Sequence, residues 1–268
     1  MYNEMKTSLT LITIVLSAVL SVTAQSITPG RDFVEVGGFN AYYARQGVAA
    51  DDKHLFAIEN NHITMFTHDG DSITTWHEPN KDIIRHINSG VVHRGKLYCS
   101  HSNFPKLPMA SSVEIFDAST LRHIESVSLG IDVGSLVWVA PAKGCFYLFF
   151  ANYDGGGGQP GHGVEWSQLV QYDDHWCRMQ AWTVPDSLLS RIRPHSLSSG
   201  VLVEGIFYCL GHDRRECYML RIPDKGTKLQ WVGTIAVPIP GQAIAIGRDG
   251  TMWGIDRKQR RIIKARQQ

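Results

Sequence analysis

The chain has 268 residues, 43% hydrophobic and 19% charged, which is ample for one packed core. A formal net charge of +1 gives no global electrostatic argument for nucleic acid or for an acidic partner. Five cysteines without a Cys-x-x-Cys pair exclude a structural zinc ribbon.

At the N-terminus, Lys6 precedes the apolar run LTLITIVLSAVL and then SVTAQ. A positive start, a short apolar core and small residues at the cleavage position predict a signal peptide over residues 1–24. The run is shorter than the roughly 20 apolar residues a span requires, so no membrane association is expected once it is cleaved. Residues 25–268 then form one exported domain, secreted or periplasmic and expected to be a monomer. Export permits disulfides, but the odd cysteine count reads better as small buried hydrophobes. Cys99 and Cys209 occupy matching places in separate repeats, and Cys209 and Cys217 flank one tight loop.

From residue 31 onward the chain repeats itself. QGVAADDKHLFAIEN, SGVVHRGKLYCSHSN, GSLVWVAPAKGCFYLFFANYD, SSGVLVEGIFYCLGHD and GQAIAIGRDGTMWGIDRK each read as strand, turn and second strand. Their aromatic anchors Phe56, Tyr98, Tyr147, Tyr208 and Trp253 are spaced by 42, 49, 61 and 45 residues. The longest interval contains the Gly-rich insertion DGGGGQPGHG. A third strand follows each pair, and a fourth follows the first four. Four short strands per unit of roughly 40 to 50 residues are the signature of a propeller blade. The fold class is therefore all-β, a five-bladed β-propeller. The last unit stops after its third strand, and RDFVEVGG (residues 31–38) is expected to supply the fourth, closing the ring and removing an open edge. Apart from the signal segment, no helical periodicity stands out.

In that topology each inner strand starts on one face and the second strand returns to it. The starts are Gln46, Ser89, Ser135, Ser199 and Gln242; the returns end at Glu59 and Asn60, His101 and Asn103, Asn152 and Tyr153, His212 and Asp213, and Asp256 and Arg257. All are expected around one mouth of the central channel. His101 and His212 are the candidate catalytic pair, one removing a proton and the other returning it. Their offsets from the aromatic anchor differ by one residue, so alternation turns them to opposite sides of their strands. Gln46, Asn103, Asn152, Tyr153, Asp213, Gln242 and Arg257 are the candidate ligand-binding set. Glu59, Asp213 and Asp256 are candidate oxygen ligands for calcium, the one cofactor this pattern suggests.

Other features carry less. The Gly-rich insertion lacks the Gly-Lys-Ser/Thr of a phosphate loop and reads as a surface loop or lid. The basic tail fits the third strand of the last blade with charges on an edge, so nucleic acid is not expected as a partner. Trp76, Trp138, Trp182, Trp231 and Trp253 lie within strands and are expected to pack between blades, while Trp166 beside the insertion is placed to stack on a sugar. His54, His62, His68 and His123 are expected on the solvated surface. There is no His-Glu-x-x-His, no Gly-x-Ser-x-Gly and no dinucleotide fingerprint.

HSNFPKLPMASSVEIFDASTLRHIESVSLG and GQAIAIGRDGTMWGIDRKQRRI resemble a group of secreted bacterial five-bladed propellers often labelled cycloisomerase-like. The label implies intramolecular lactonisation of a small acid, and no catalytic residue transfers with it. The leading expectation is a propeller that binds a small polar ligand, a sugar or an organic acid, at the channel mouth. The alternatives are a lyase, isomerase or hydrolase using the same rim residues, and a protein-interaction platform, which would show a plugged channel and a flat apolar face.

Overall fold

The computed structural model describes residues 27–131, 133–155 and 157–268. The signal segment expected over residues 1–24 lies outside them. Five four-stranded antiparallel sheets form a five-bladed propeller. From the axis outward, blade one is Gly47–Ala50, His54–Glu59, His62–Thr67 and Ser72–His77. Blade two is His86–His93, Lys96–Ser102, Ala110–Asp117 and His123–Ile131. Blade three is Ser135–Ala142, Cys145–Ala151, Gln168–Asp173 and Arg178–Thr183. Blade four is Ser199–Val203, Ile206–Leu210, Glu216–Arg221 and Gln230–Ala236. Blade five is Ile244–Ile246, Met252–Asp256 and Arg261–Gln267, completed by Phe33–Asn40.

Strand alternation gives every blade two apolar faces, and the core is divided among the five junctions between blades. Leu55 and Ala57 face blade five, packing with Trp253 and Ile255. Phe56 and Ile58, on the other face, pack with Leu97 and Cys99 of blade two. The junction of blades three and four is the most aromatic: Trp138 stacks on Phe149 at 5.2 Å, with Trp182, Phe207 and Tyr218 around them. Trp138, Trp182 and Trp253 are buried, and Trp76 and Trp231 pack partly buried against neighbouring clusters. Burying side chains of this size, each contributing about 1.5–3 kcal/mol, is what holds blades together that share few backbone hydrogen bonds.

The ring closes where the repeat pattern requires. Phe33–Asn40 pairs antiparallel with Arg261–Gln267, from Phe33 opposite Gln267 to Asn40 opposite Arg261. The strand runs two residues later than the 31–38 read from sequence. A bulge falls between Glu35 and Gly37, and Arg261 reaches Glu35 at 2.6 Å. The Asp32 carboxylate accepts the Ala236 backbone N–H at 2.7 Å, tying the seam to blade four.

One element escaped the sequence reading. Asp186–Ile192 is a short helix between blades three and four, with Pro185 at its N-cap. Leu188, Leu189 and Ile192 are buried, a helical spacing that inserts them into the aromatic junction. Seven residues are too few for that periodicity to stand out in an all-β sequence. The cysteines are all free: Cys99, Cys209 and Cys217 are buried as expected, whereas Cys145 is half-buried and Cys177 is exposed.

Candidate functional site

At one mouth of the channel lies a cavity of about 210 Å³. Its walls come mainly from two kinds of place in the repeats, the start of or approach to an inner strand and the end of a second strand. Gln46, His86, His195 and Gln242 come from approaches; Phe104, Tyr153, His212 and Arg257 follow second strands. Deeper in, near the opposite mouth, the inner strands of all five blades line a separate void with apolar residues such as Val91, Val139 and Val201. The channel is thus polar at one mouth and apolar towards the other, and only the first suits a polar ligand.

His212, Asp213, His195 and Arg257 form the centre of the polar mouth. The guanidinium of Arg257 donates to His212 Nε2 at 3.2 Å, since arginine has no lone pair to accept with. The ring proton must then sit on Nδ1, where it is donated to Asp213 Oδ1 at 2.7 Å. His212 is therefore a neutral imidazole of fixed tautomer. Burial lowers its pKa, the Asp213 hydrogen bond opposes that, and His195 and Arg257 push it down further. The His195 ring lies over it with centroids 4.1 Å apart, and His195 Nε2 is 3.8 Å from Asp213 Oδ2. Arg257 makes no ion pair among the described residues, and burial and the neighbouring charge of Arg45 lower its pKa. A half-buried cation whose nearest side-chain partner is a neutral ring is an anion receptor by default.

On the other side of the cavity, Asn60 Oδ1 accepts from His86 Nδ1 at 2.6 Å and from Gln46 Nε2 at 3.3 Å. Burial, together with the charges of His101 and Arg257, holds the His86 imidazole down at about 4, so it stays neutral well below physiological pH. Burial raises the Tyr153 phenol to about 12, with the Ser135 hydroxyl beside it. Phe104 packs edge-on to Tyr153 at 5.8 Å and lies under Gly157 of the Gly-rich loop. That loop is moored to the approach of blade four. Arg193 binds Asp154 at 2.7 Å and Glu165 at 2.9 Å, and the Asp154 N–H bonds to Pro194 O. Trp166 is exposed, with His162 edge-on to it at 4.2 Å.

Of the residues singled out from sequence, Gln46, Tyr153, His212, Gln242 and Arg257 line the cavity, and Asp213 adjoins it through His212. The others do not. His101 is the main correction. Like Cys99, two residues earlier, it faces the junction with blade one, where its Nε2 accepts the Arg85 backbone N–H at 3.1 Å. Its Nδ1 donates to Ser112 Oγ at 2.8 Å, which donates to buried Glu114 at 2.6 Å. Both ring nitrogens are committed to the scaffold, so the paired-base arrangement of His101 and His212 is not assembled. Asn103 staples its own loop through Pro108 O and the Ala110 N–H. Asn152 is buried and donates to Val133 O at 2.6 Å.

The expected calcium site is not assembled either. Glu59 is bound by Arg45 at 2.9 Å, and Asp256 Oδ1 caps the Lys258 and Gln259 N–H groups. Among the described residues, the group able to converge on one ion is His195, His212 and Asp213, with ligand atoms all within 4.8 Å of one another. The inner-strand serines are also structural: Ser135 bonds Ser102, and Ser199 bonds the Ile244 backbone of the next blade. Of the histidines expected in solvent, His62 is half-buried, stacked between Tyr43 and His77 at 4.3 and 4.1 Å. His123 is bound by Glu114 at 2.8 Å.

Sequence reasoning missed His86, Asn88, Phe104, Val137 and His195. Two of them have a common cause. Bulges interrupt the inner strands between Ile87 and Ser89 and between Leu136 and Trp138, and the extra residues, Asn88 and Val137, are turned to the cavity. His195 follows the unrecognised helix, in the segment RPHSLS that leads from it to the inner strand of blade four.

No protein-family model matches the sequence, and no curated protein matches it. Among solved structures, the chain is similar to the glutaminyl cyclase of Myxococcus xanthus, with a TM-score of 0.59 and 10% identity over 88% of this chain and 96% of that one. The WD40 β-propeller domain of Doa1 matches at a TM-score of 0.45 and 9% identity, over 89% of this chain and 98% of that one. Kuenenia stuttgartiensis hydrazine synthase matches at 0.45 and 8% identity, over 80% and 68%. At such identities the first likeness establishes a shared propeller fold, and the other two add nothing to it.

Proposed function

We propose that this propeller binds a small polar ligand bearing a carboxylate, an organic acid or an acidic sugar, at the polar mouth of its channel. The observation that supports the reading is Arg257: half-buried, without an ion pair among the described residues, and facing a cavity of about 210 Å³ with neutral donors around it. A carboxylate there gains a two-pronged, charge-assisted contact that water cannot match. Gln46 and Gln242 supply the neutral hydrogen bonds that orient the rest of the molecule. The fold likeness to a glutaminyl cyclase does not assign that protein's activity to this chain.

A second reading, an enzyme of lyase, isomerase or hydrolase type, draws on one observation. The Asp213–His212 pair presents an oriented Nε2 lone pair at the Arg257 guanidinium. A carboxylate that takes Arg257 leaves that nitrogen free to accept a proton from the bound molecule. A thermal-shift screen of small carboxylic acids and sugars tests the first reading. A bound acid raises the melting temperature by mass action, by an amount worth about 2.7 kcal/mol at a hundredfold excess over Kd. Arg257→Gln is expected to abolish the rise. A rise that persists in the variant, or no rise with any acid, refutes it. For the second reading, the acids that bind are incubated in heavy water. Deuterium exchange at carbon, lost in His212→Gln, supports an enzyme.

A further inference from the structure

The geometry points to a zinc-class metal site at the channel mouth, formed by His195, His212 and Asp213. Three donors of the right kind converge from two separate segments, the approach to blade four and the end of its second strand. Two imidazoles and one carboxylate are a borderline ligand set that suits Zn²⁺ and disfavours the all-oxygen shells of Ca²⁺ and Mg²⁺. Zinc bonds of about 2.0–2.2 Å in tetrahedral array place ligand atoms roughly 3.3–3.5 Å apart. The two separations to the Asp213 oxygens, 2.7 Å from His212 Nδ1 and 3.8 Å from His195 Nε2, lie on either side of that value. Asp213 is exposed and, among the described residues, bonded to these rings, so a small rotation of its carboxylate equalises the distances. The histidines are held more firmly. Gly211 and Gly241 close around His212: the Gly211 carbonyl accepts from Ser198 Oγ at 2.8 Å and from the Gln242 N–H at 3.3 Å. The segment carrying His195 is moored by the Pro194 carbonyl to Asp154. Three protein ligands leave a fourth position open, the arrangement of zinc centres that accept a ligand from outside.

The tautomer gives this site a distinguishing property. Without metal, the proton of His212 is on Nδ1, because Arg257 donates to Nε2. A metal bound at Nδ1 requires the other tautomer of the neutral ring, in which its single proton has moved to Nε2. That N–H then faces the donors of Arg257, and two donors cannot share one line. Arg257 must turn away, so in its present position it opposes the metal both by its charge and by the tautomer it selects. Removing it is expected to strengthen metal binding, the reverse of its effect on a carboxylate ligand. The two proposals therefore fail separately.

The experiment uses tag-free full-length chain stripped with chelator and titrated with ZnCl₂ by calorimetry, with CoCl₂ absorption reporting nitrogen ligation. The expected result is one Zn²⁺ per chain, no comparable response to CaCl₂, and at least about a 100-fold loss of affinity in His195→Ala and in His212→Ala. Asp213→Asn weakens binding, and Arg257→Gln tightens it several-fold. His62→Ala, in the stacked His62–His77 pair of blade one, leaves it unchanged. Absence of binding, binding that survives His195→Ala, binding lost in His62→Ala, or Arg257→Gln weakening rather than tightening would each overturn the assignment.

Discussion

His86 makes this propeller measurably sensitive to acid, and the size of the effect follows from its surroundings. The imidazole is half-buried beside the cavity with its Nδ1 bonded to Asn60, and its pKa falls from an ordinary 6.5 to about 4. Between those two values the unfolded chain binds a proton that the folded one refuses, so stability falls as the pH drops through 6.5 and goes on falling until about 4. Integrating the difference gives a loss of about 2 kcal/mol between about pH 7 and pH 5, a large share of the 5–15 kcal/mol that stabilises a typical domain. His86→Gln removes the titrating group and keeps a side-chain N–H for Asn60. Urea unfolding followed by tryptophan fluorescence, at both pH values and for both proteins, isolates this share. His101 and His212 are also held down by burial, so the variant retains some acid sensitivity. The expectation is that its loss between the two pH values is smaller than that of the natural chain by about 2 kcal/mol. Equal losses would refute the argument that burial keeps His86 neutral.

Two substitutions test how the seam and the site are held. At Gly38, φ is +146° and an added Cβ overlaps the Ile262 carbonyl, so Gly38→Ala is expected to unpair the closing strand. Light scattering should show aggregation below the unfolding temperature, and scattering unchanged from the natural chain would count against the seam. At Gly241, φ is +101° and a Cβ overlaps the His212 carbonyl. Gly241→Ala is expected to displace His212 at a cost of about 1–3 kcal/mol, weakening both carboxylate and zinc binding in the titrations above. Retention of both at natural affinity would show that the His212 backbone is not positioned by this contact.

The blade architecture was legible because its physical cause is periodic. Short alternating strand runs recur at intervals of 42 to 61 residues, and the missing last strand breaks the pattern where the RIIKARQ strand takes FVEVGGFN as its partner. The mouth of the channel was legible only where strand ends are regular. Gln46, Gln242, Tyr153 and Arg257 follow from counting along a strand, whereas bulges at Asn88 and Val137 add one residue and reverse the count. His101 was misjudged for a related reason. It belongs to the paired strand, opposite Ile87, whereas His212 lies two residues beyond the strand end at Leu210, where alternation no longer binds it. The calcium trio failed because each carboxylate has a local use, in an ion pair with Arg45, a bond to His212 or a cap, that residue type alone does not reveal.

The closing strand has a further consequence for how the molecule is made and how it fails. Phe33 and Gln267 are neighbours in space but lie at opposite ends of the chain, so their pairing closes a loop of more than 200 residues. Contacts so distant in sequence form slowly, and blades one to four can assemble from local hairpins before the fifth is complete. During that interval the third strand of blade five is an open edge, and Phe33–Asn40 is an unpaired strand on the same molecule. At high concentration the strand of one chain can complete the blade of another, giving an exchanged dimer or an open-ended series of such exchanges. Refolding at rising protein concentration, separated by size, would display this as a dimer that reverts only through unfolding. The element that protects the finished ring is, until it docks, its principal route to misassembly.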